Sequence, residues 1–180
     1  VGVLSKQYDA IVVGAGPAGA SAALVLARAG LVRLELAGRI TERLNPAGFL
    51  PACGQGALAV QVRADDEALL AFCGQLDDTE SHRATFAERA FLAVLGGGCR
   101  VPVGVYARFT GGPAELTIAG MVASEDGARL VEQTACGVAA SPEDAAELGR
   151  RLGEAVSAAG GAAILEEVMS ESPQATEGSE

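Results

Sequence analysis

The chain has 180 residues, 49% of them apolar and 20% charged, so it can bury a core and does not have the composition of a disordered tail. With no Trp, two Tyr and five Phe, that core must be filled mainly by Ala, Val and Leu. The net charge of −10 argues against nucleic acid or an anionic membrane as partner, and an anionic ligand would need a local arginine cluster to overcome the global field.

The first residue is Val1 rather than Met, which is expected of a fragment boundary. The longest uncharged stretch, 10–27, reaches only the lower length limit of a membrane helix and contains Gly14, Gly16, Pro17 and Gly19. No ordered signal-peptide pattern is present, so the expectation is a soluble, cytoplasmic protein without a targeting segment. The four cysteines form no CxxC pair and His82 is the one histidine, so no metal site is expected and the thiols are read as reduced.

In chain order, YDAIVV at 8–13 reads as a buried strand. GAGPAG at 14–19 opens an Ala-rich helical segment at 20–29, which Gly30 stops. Residues 31–36 and 57–62 read as further strands, separated by the breakers Pro46, Gly48 and Pro51. Asp65 or Asp66 caps a helix with an apolar face of Leu69, Leu70, Cys73 and Leu76. Thr79 is read as the cap of a second helix, with Ala84, Ala87, Ala90, Phe91 and Val94 on one face, ended by GGGC at 96–99. Val101, Val103 and Val105 alternate as in a half-buried strand; Gly111-Gly112-Pro113 turns into a strand at 116–122, and Asp126-Gly127 into one at about 129–138. Ser141-Pro142-Glu143-Asp144 is a helix start, with Leu148, Leu152, Ala155, Val156 and Ala159 as the buried stripe and Gly160-Gly161 as the stop. A last short helix is placed at 164–168, and the polar tail from about Ser170 is read as disordered. The fold class is therefore an α/β segment followed by an α+β domain, a three-stranded antiparallel sheet packed by helices. Residues 1–64 form a partial α/β domain, 65–168 the α+β domain and 169–180 a tail.

Three blocks in order carry a family resemblance. LPACGQGALAVQVR (50–63), TESHRATFAERAFLAVLGGGCRVPVGVYA (79–107) and ELTIAGMVASEDG (115–127) resemble the porphobilinogen deaminase (hydroxymethylbilane synthase) family, as do YDAIV at 8–12 and LARAGLVRLELAGRITERL at 26–44. The resemblance implies a transferase of tetrapyrrole (haem) biosynthesis that polymerises porphobilinogen to hydroxymethylbilane. Its chain would start from a dipyrromethane joined to one cysteine by a thioether. That cysteine would be Cys99, in GGGCRVPVG, with Gly98 in the same loop; a thiolate suits capture of the electrophilic methylene-pyrrole. From spacing alone, Cys99 reads as a small buried cysteine at a helix-to-strand turn. Gln55, in GQG, lies in the block that flanks the family's cleft; a structural turn amide is an equally good reading. Cys53, Cys73 and Cys136 are read as structural, and His82 as solvated. The expected partners are porphobilinogen and the growing chain, with no nucleic acid, no membrane and a monomeric state.

Two departures from the family pattern matter. The family's substrate-binding arginines and catalytic aspartate lie upstream of the equivalent of YDAIV, so a fragment inactive alone is expected; Arg28, Arg33, Arg63 and Arg100 are not shown to replace them. Residues 8–30 also resemble the opening of flavoproteins: Gly14, Gly16 and Gly19 follow a strand and open a helix, and Glu35 sits near the end of the next expected strand. That gives an alternative reading, an FAD- or NAD-linked oxidoreductase fragment binding a dinucleotide through 14–35. The preferred account is an insertion or chimeric junction at 13–25 that imitates the motif, and a third reading is a folded remnant without cofactor.

Overall fold

A computed structural model describes residues 31–40, 42, 44–46, 48–55, 57, 59–96, 102–112 and 114–171. The strand expected at 8–13, the glycines of GAGPAG, the helix at 20–29 and most of the polar tail lie outside the described residues.

The regular part begins with helix α1 (Glu67–Gly74) and helix α2 (Thr79–Leu95). Asp66 caps α1 by accepting from the Leu69 N–H at 3.0 Å. Asp78, not Thr79, caps α2, accepting from the Ser81 N–H at 2.8 Å. A carboxylate one residue earlier takes the orphan donor and adds a favourable charge at the helix N-terminus. Strands β1 (Val103–Phe109), β2 (Glu115–Ala123) and β3 (Leu130–Val138) follow, each joined to the next by a local turn and paired antiparallel in the order β1-β2-β3. The β2–β3 turn is fixed by Asp126, which accepts from Ser124 Oγ and the Ala128 N–H, and by Gly127 at φ 70°. Helix α3 (Pro142–Val156) starts on a capping box in which Ser141 and Asp144 exchange hydrogen bonds. A π-type turn with Gly160 at φ 110° then leads into helix α4 (Ala162–Glu171), longer than the expected 164–168.

Alternation in the strands puts Val103, Val105 and Ala107 of β1 opposite Val122, Gly120 and Ile118 of β2, all on the face covered by the helices. Phe91, Leu95, Leu148, Leu152, Val156, Ile164, Leu165 and Val168 complete that core. The α3 stripe differs from expectation in one respect. Ala155 and Ala159 are exposed, whereas Gly149 and Gly153 are buried between Leu148 and Val156. A Cβ on Gly149 would overlap the Ala87 carbonyl oxygen, and one on Gly153 would lie 2.9 Å from Val94 Cβ. The helices therefore touch backbone to backbone, and glycine is what lets them.

Three expectations for the first half are corrected. Residues 31–33 are helical and 34–35 form a turn, so no strand runs over 31–36. LVRLEL is rich in Leu, Arg and Glu, good helix formers, and a short apolar run does not by itself distinguish strand from helix. Among the described residues of 57–62 there is likewise no strand, and Val60 is 64% exposed. β-propensity is realised only where a neighbouring strand can pair, and β1 has its free edge occupied otherwise, as described below. The apolar face of α1 is not buried: Leu69, Leu70 and Leu76 are exposed and Cys73 is half-buried. Periodicity identifies an apolar face but not what covers it.

The α2–α3 contact gives a stability test. Gly→Ala within a helix normally stabilises by up to ~1 kcal/mol. Gly149→Ala should instead destabilise by about 1–3 kcal/mol, the range for overpacking a filled core. Gly74→Ala in α1, where an added methyl meets nothing, should be neutral or stabilising. Urea unfolding midpoints of both variants check this, and equal shifts would refute the backbone-contact account.

Candidate functional site

The candidate site is assembled where the 50–55 segment docks against β1 and α2. Leu50 is buried against Gly104, where a Cβ would lie 3.0 Å from that of Leu50 and 2.9 Å from Met121 Cε. The Val105 N–H donates to the Pro51 carbonyl at 2.8 Å. The next outward amide of the same strand edge, Ala107 N–H, donates to Glu88 Oε1 at 2.9 Å. Glu88 Oε2 accepts the Gly54 N–H at 2.7 Å. Thus the edge of β1 away from β2 is occupied first by backbone and then by a carboxylate reaching over from α2. Gly54 adopts φ 69°, the left-handed region that disfavours other residues, and the Gln55 N–H closes the turn on the Ala52 carbonyl at 3.2 Å.

Glu88 is buried, and burial pushes its carboxyl above the ordinary 4.5, opposed by the hydrogen bonds from Ala107 and Gly54. Cys53, half-buried beside it, has its thiol pushed up to about 11 by burial, then by the Glu88 charge, with Arg89 pulling the other way. A thiol so placed is a poor nucleophile. Cys73 is half-buried in α1, and Cys136 is exposed in β3; no disulfide joins any of the three among the described residues. Arg83 is the second buried charged residue of α2. Its guanidinium donates to the carbonyls of Ala139 at 2.7 Å and Thr79 at 3.2 Å and lies 4.7 Å from the centre of the Phe109 ring. His82 stays half-exposed, with Nδ1 2.9 Å from Asp77 Oδ1 and its ring stacked on Phe86.

The stretch singled out by sequence falls in the connection between α2 and β1. Helix α2 ends at Leu95 with Gly96 in the left-handed conformation at φ 65°. The chain resumes at Pro102, whose carbonyl accepts the Ala123 N–H at 3.0 Å. Gly98, Cys99 and Arg100 fall between those two anchors and outside the described residues. Gln55 is half-buried in the Gly54 turn. Arg33 is exposed, Arg63 pairs with Asp66 at 3.2 Å at the surface, and Arg28 lies outside the described residues.

Two family models match the chain. Residues 7–71 match "Porphobilinogen deaminase, dipyromethane cofactor binding domain", and residues 82–158 match "Porphobilinogen deaminase, C-terminal domain". The chain belongs to the porphobilinogen deaminase family. Curated relatives named porphobilinogen deaminase agree: that of Brevibacillus brevis is 45% identical over 152 residues, 84% of this chain and 47% of the relative. That of Syntrophobacter fumaroxidans is 43% identical over 83% of the chain and 47% of the relative. The Roseiflexus castenholzii protein is 48% identical over 79% and 45%. The chain thus spans about half the length of the curated relatives it matches.

The dinucleotide alternative loses its acid. The fingerprint needs a carboxylate at the end of the second strand. Glu35 is instead exposed in a left-handed turn at φ 59° after a helical segment, with its N–H on the Val32 carbonyl. Gly14, Gly16 and Gly19 lie outside the described residues, within a stretch that the deaminase family model matches. Among the described residues, no group of three His, Cys, Asp or Glu could hold a metal, and no helix is long and apolar enough to cross a membrane.

Sequence reasoning missed Glu88 and Arg83. The signal was present: Arg83 falls four residues before Ala87 and Glu88 three before Phe91, beside the face read as apolar, where a lone charge calls for a buried partner.

Two predictions follow from these environments. At pH 8 only about one thousandth of Cys53 should be thiolate, so iodoacetamide should alkylate exposed Cys136 far faster than Cys53 in the native chain, and both alike in urea. Peptide mapping over time reads this directly; equal native rates would contradict it. For Glu88 the folded state holds its proton to higher pH than the unfolded state. The group's contribution is therefore fully present below the unfolded value near 4.5 and declines as pH rises through the raised folded value. The stability difference between the natural chain and Glu88→Gln should accordingly shift in favour of the variant between pH 4 and 7, as measured by thermal midpoints. A constant difference would show that Glu88 does not titrate in that window.

Proposed function

We propose that this chain supplies the cofactor-attachment part of a porphobilinogen deaminase, a transferase that builds hydroxymethylbilane from porphobilinogen, and that Cys99 is the attachment residue. The observation that carries the reading is the pair of family matches, one described by its dipyrromethane cofactor and the other reaching across Cys99. The donor chemistry fits. A thiolate can form the required thioether, whereas Cys53 is held in its thiol form by burial. When bound, the dipyrromethane supplies the pyrrole end onto which porphobilinogen units are condensed. The protein's own task would be to carry Cys99 in the connection between α2 and β1, with Gly98 and Gln55 as the accompanying cofactor-site residues that the family resemblance implies. We read residues 1–64 as part of an α/β domain, 65–168 as the attachment domain and 169–180 as a tail, in a cytoplasmic monomer whose partners are porphobilinogen and the growing tetrapyrrole.

The test joins this chain, with residues 13–25 removed, behind the N-terminal half of a porphobilinogen deaminase such as that of Brevibacillus brevis. Intact mass and peptide mapping should find dipyrromethane on Cys99 and on no other cysteine. Cys99→Ser should remain folded and cofactor-free, because a hydroxyl is a far weaker nucleophile near neutral pH. A polypeptide confined to the 180 residues should show no turnover when porphobilinogen consumption is followed by oxidation to fluorescent uroporphyrin. An adduct on Cys53, Cys73 or Cys136, or activity with Cys99 unmodified, would overturn the assignment.

A further inference from the structure

Among the described α-helices, α1 alone buries none of its residues. Its eight residues make about 12 Å of helix, well short of the ~12–15 residues at which an isolated helix begins to hold in water. The ends are specified all the same: Asp66 caps the start, and the Leu76 N–H closes the last turn on the Cys73 carbonyl at 2.9 Å. Leu69, Phe72, Cys73 and Leu76 follow at i, i+3, i+4 and i+7, the spacing of one buried stripe, with Leu70 beside it. Yet Phe72 is 61% and Leu76 69% exposed. A short helix with a bare stripe draws its stability from a cover, and the question is what supplies it.

A second copy fits poorly. Two helices of about 12 Å laid together would bury far less than the ~1,200 Å² of a specific interface between separate proteins. Carboxylates also stand at both ends of the stripe, Asp65, Asp66 and Glu67 before it and Asp77 and Asp78 after it, so like copies would set acid against acid in either orientation. A contact this small holds where the partner is tethered in the same polypeptide, because effective concentration then replaces area. The chain spans about half the length of its curated relatives, so in them a body of similar size belongs to the same polypeptide. The match to the cofactor-binding domain ends at residue 71, inside α1, and the C-terminal match begins at 82, which puts the helix at the border of the two modules. We propose that the Leu69, Phe72 and Leu76 stripe of α1 is a docking face for the half of a deaminase polypeptide outside the span of this chain, met by an apolar patch with a basic rim. This rests on the function proposed above in taking the chain as one part of a deaminase.

Amide exchange of residues 67–76 and thermal midpoints are measured in the 180-residue chain, with and without residues 13–25, and in the joined polypeptide described above. In both forms of the chain α1 should exchange near the rate of open structure, and in the joined polypeptide at least about tenfold more slowly. Phe72→Ser should leave the midpoint of the chain unchanged, as a surface substitution does, and abolish the slow exchange in the joined polypeptide. Val138→Ser, at an exposed apolar position of β3, should do neither. Slow exchange of α1 already in the chain alone would mean that its own residues or a second copy cover the face, and overturns the proposal. Equally fast exchange in the joined polypeptide overturns it, as does slow exchange that survives Phe72→Ser or is lost equally in Val138→Ser. Loading of Cys99 is read separately by intact mass. A joined polypeptide that protects α1 but leaves Cys99 bare sinks the function proposed above and upholds the docking face; the converse sinks the docking face alone.

Discussion

The ring of Phe91 sits directly over Gly120 in the central strand, where any side chain would collide with it, and the backbone carbonyl of the same residue lies where a Cβ on Gly153 would come within 3.0 Å. One residue of α2 thus sets two close approaches, helix to sheet and helix to helix, each possible only because the partner position is glycine. An Ala- and Val-rich chain with few aromatics gains little from bulky side chains, so tight backbone approach is how it reaches native packing density. The seat of α2 on the sheet and of α3 on α2 both depend on that contact. So does the place from which the Cys99 loop departs.

Against this apolar frame, α2 carries two buried charged residues, and each hydrogen-bonds to backbone groups of distant segments. Arg83 donates to carbonyls at the start of its own helix and at the β3–α3 junction; Glu88 accepts from N–H groups of the 50–55 segment and of β1. Backbone groups are fixed dipoles that neither titrate nor swing away. Pairing with them commits each side chain to one geometry and leaves the surrounding segments no alternative register. No buried side-chain polar atom among the described residues is left without a hydrogen bond. The surface pairs differ in kind: Arg150 with Glu147 and Glu154, and Arg129 with Glu167, are exposed and add little to stability.

The second half of the fold was legible because its signals are local. Ser141-Pro142 announces α3, Asp126-Gly127 announces the β2–β3 turn, and the valines of β1 alternate as a one-sided strand must. The first half was misread where the answer depends on distant parts of the chain. Residues 57–62 have strand composition but no strand beside them, and α1 has an apolar face with nothing of the described structure upon it. The family was legible from separated blocks in correct order. Glu88 was passed over because its neighbours invited an apolar reading; a carboxylate at that helical position is informative only once its partners are sought elsewhere in the chain.

The direction in which the chain is made gives the Glu88 tie a temporal side. The sheet is built from strands adjacent in sequence and can close as soon as it is complete, as low-contact-order structure does. The Gly54 turn is synthesised before any of its anchors, with Glu88 following 34 residues later. At roughly 5–20 residues per second that is a delay of about 2–7 s. During that interval the segment 50–55 has neither a strand edge nor a carboxylate to receive its N–H groups, and Leu50 has no Gly104 to cover it. It is the part of this chain with most reason to meet a chaperone while the ribosome is still working.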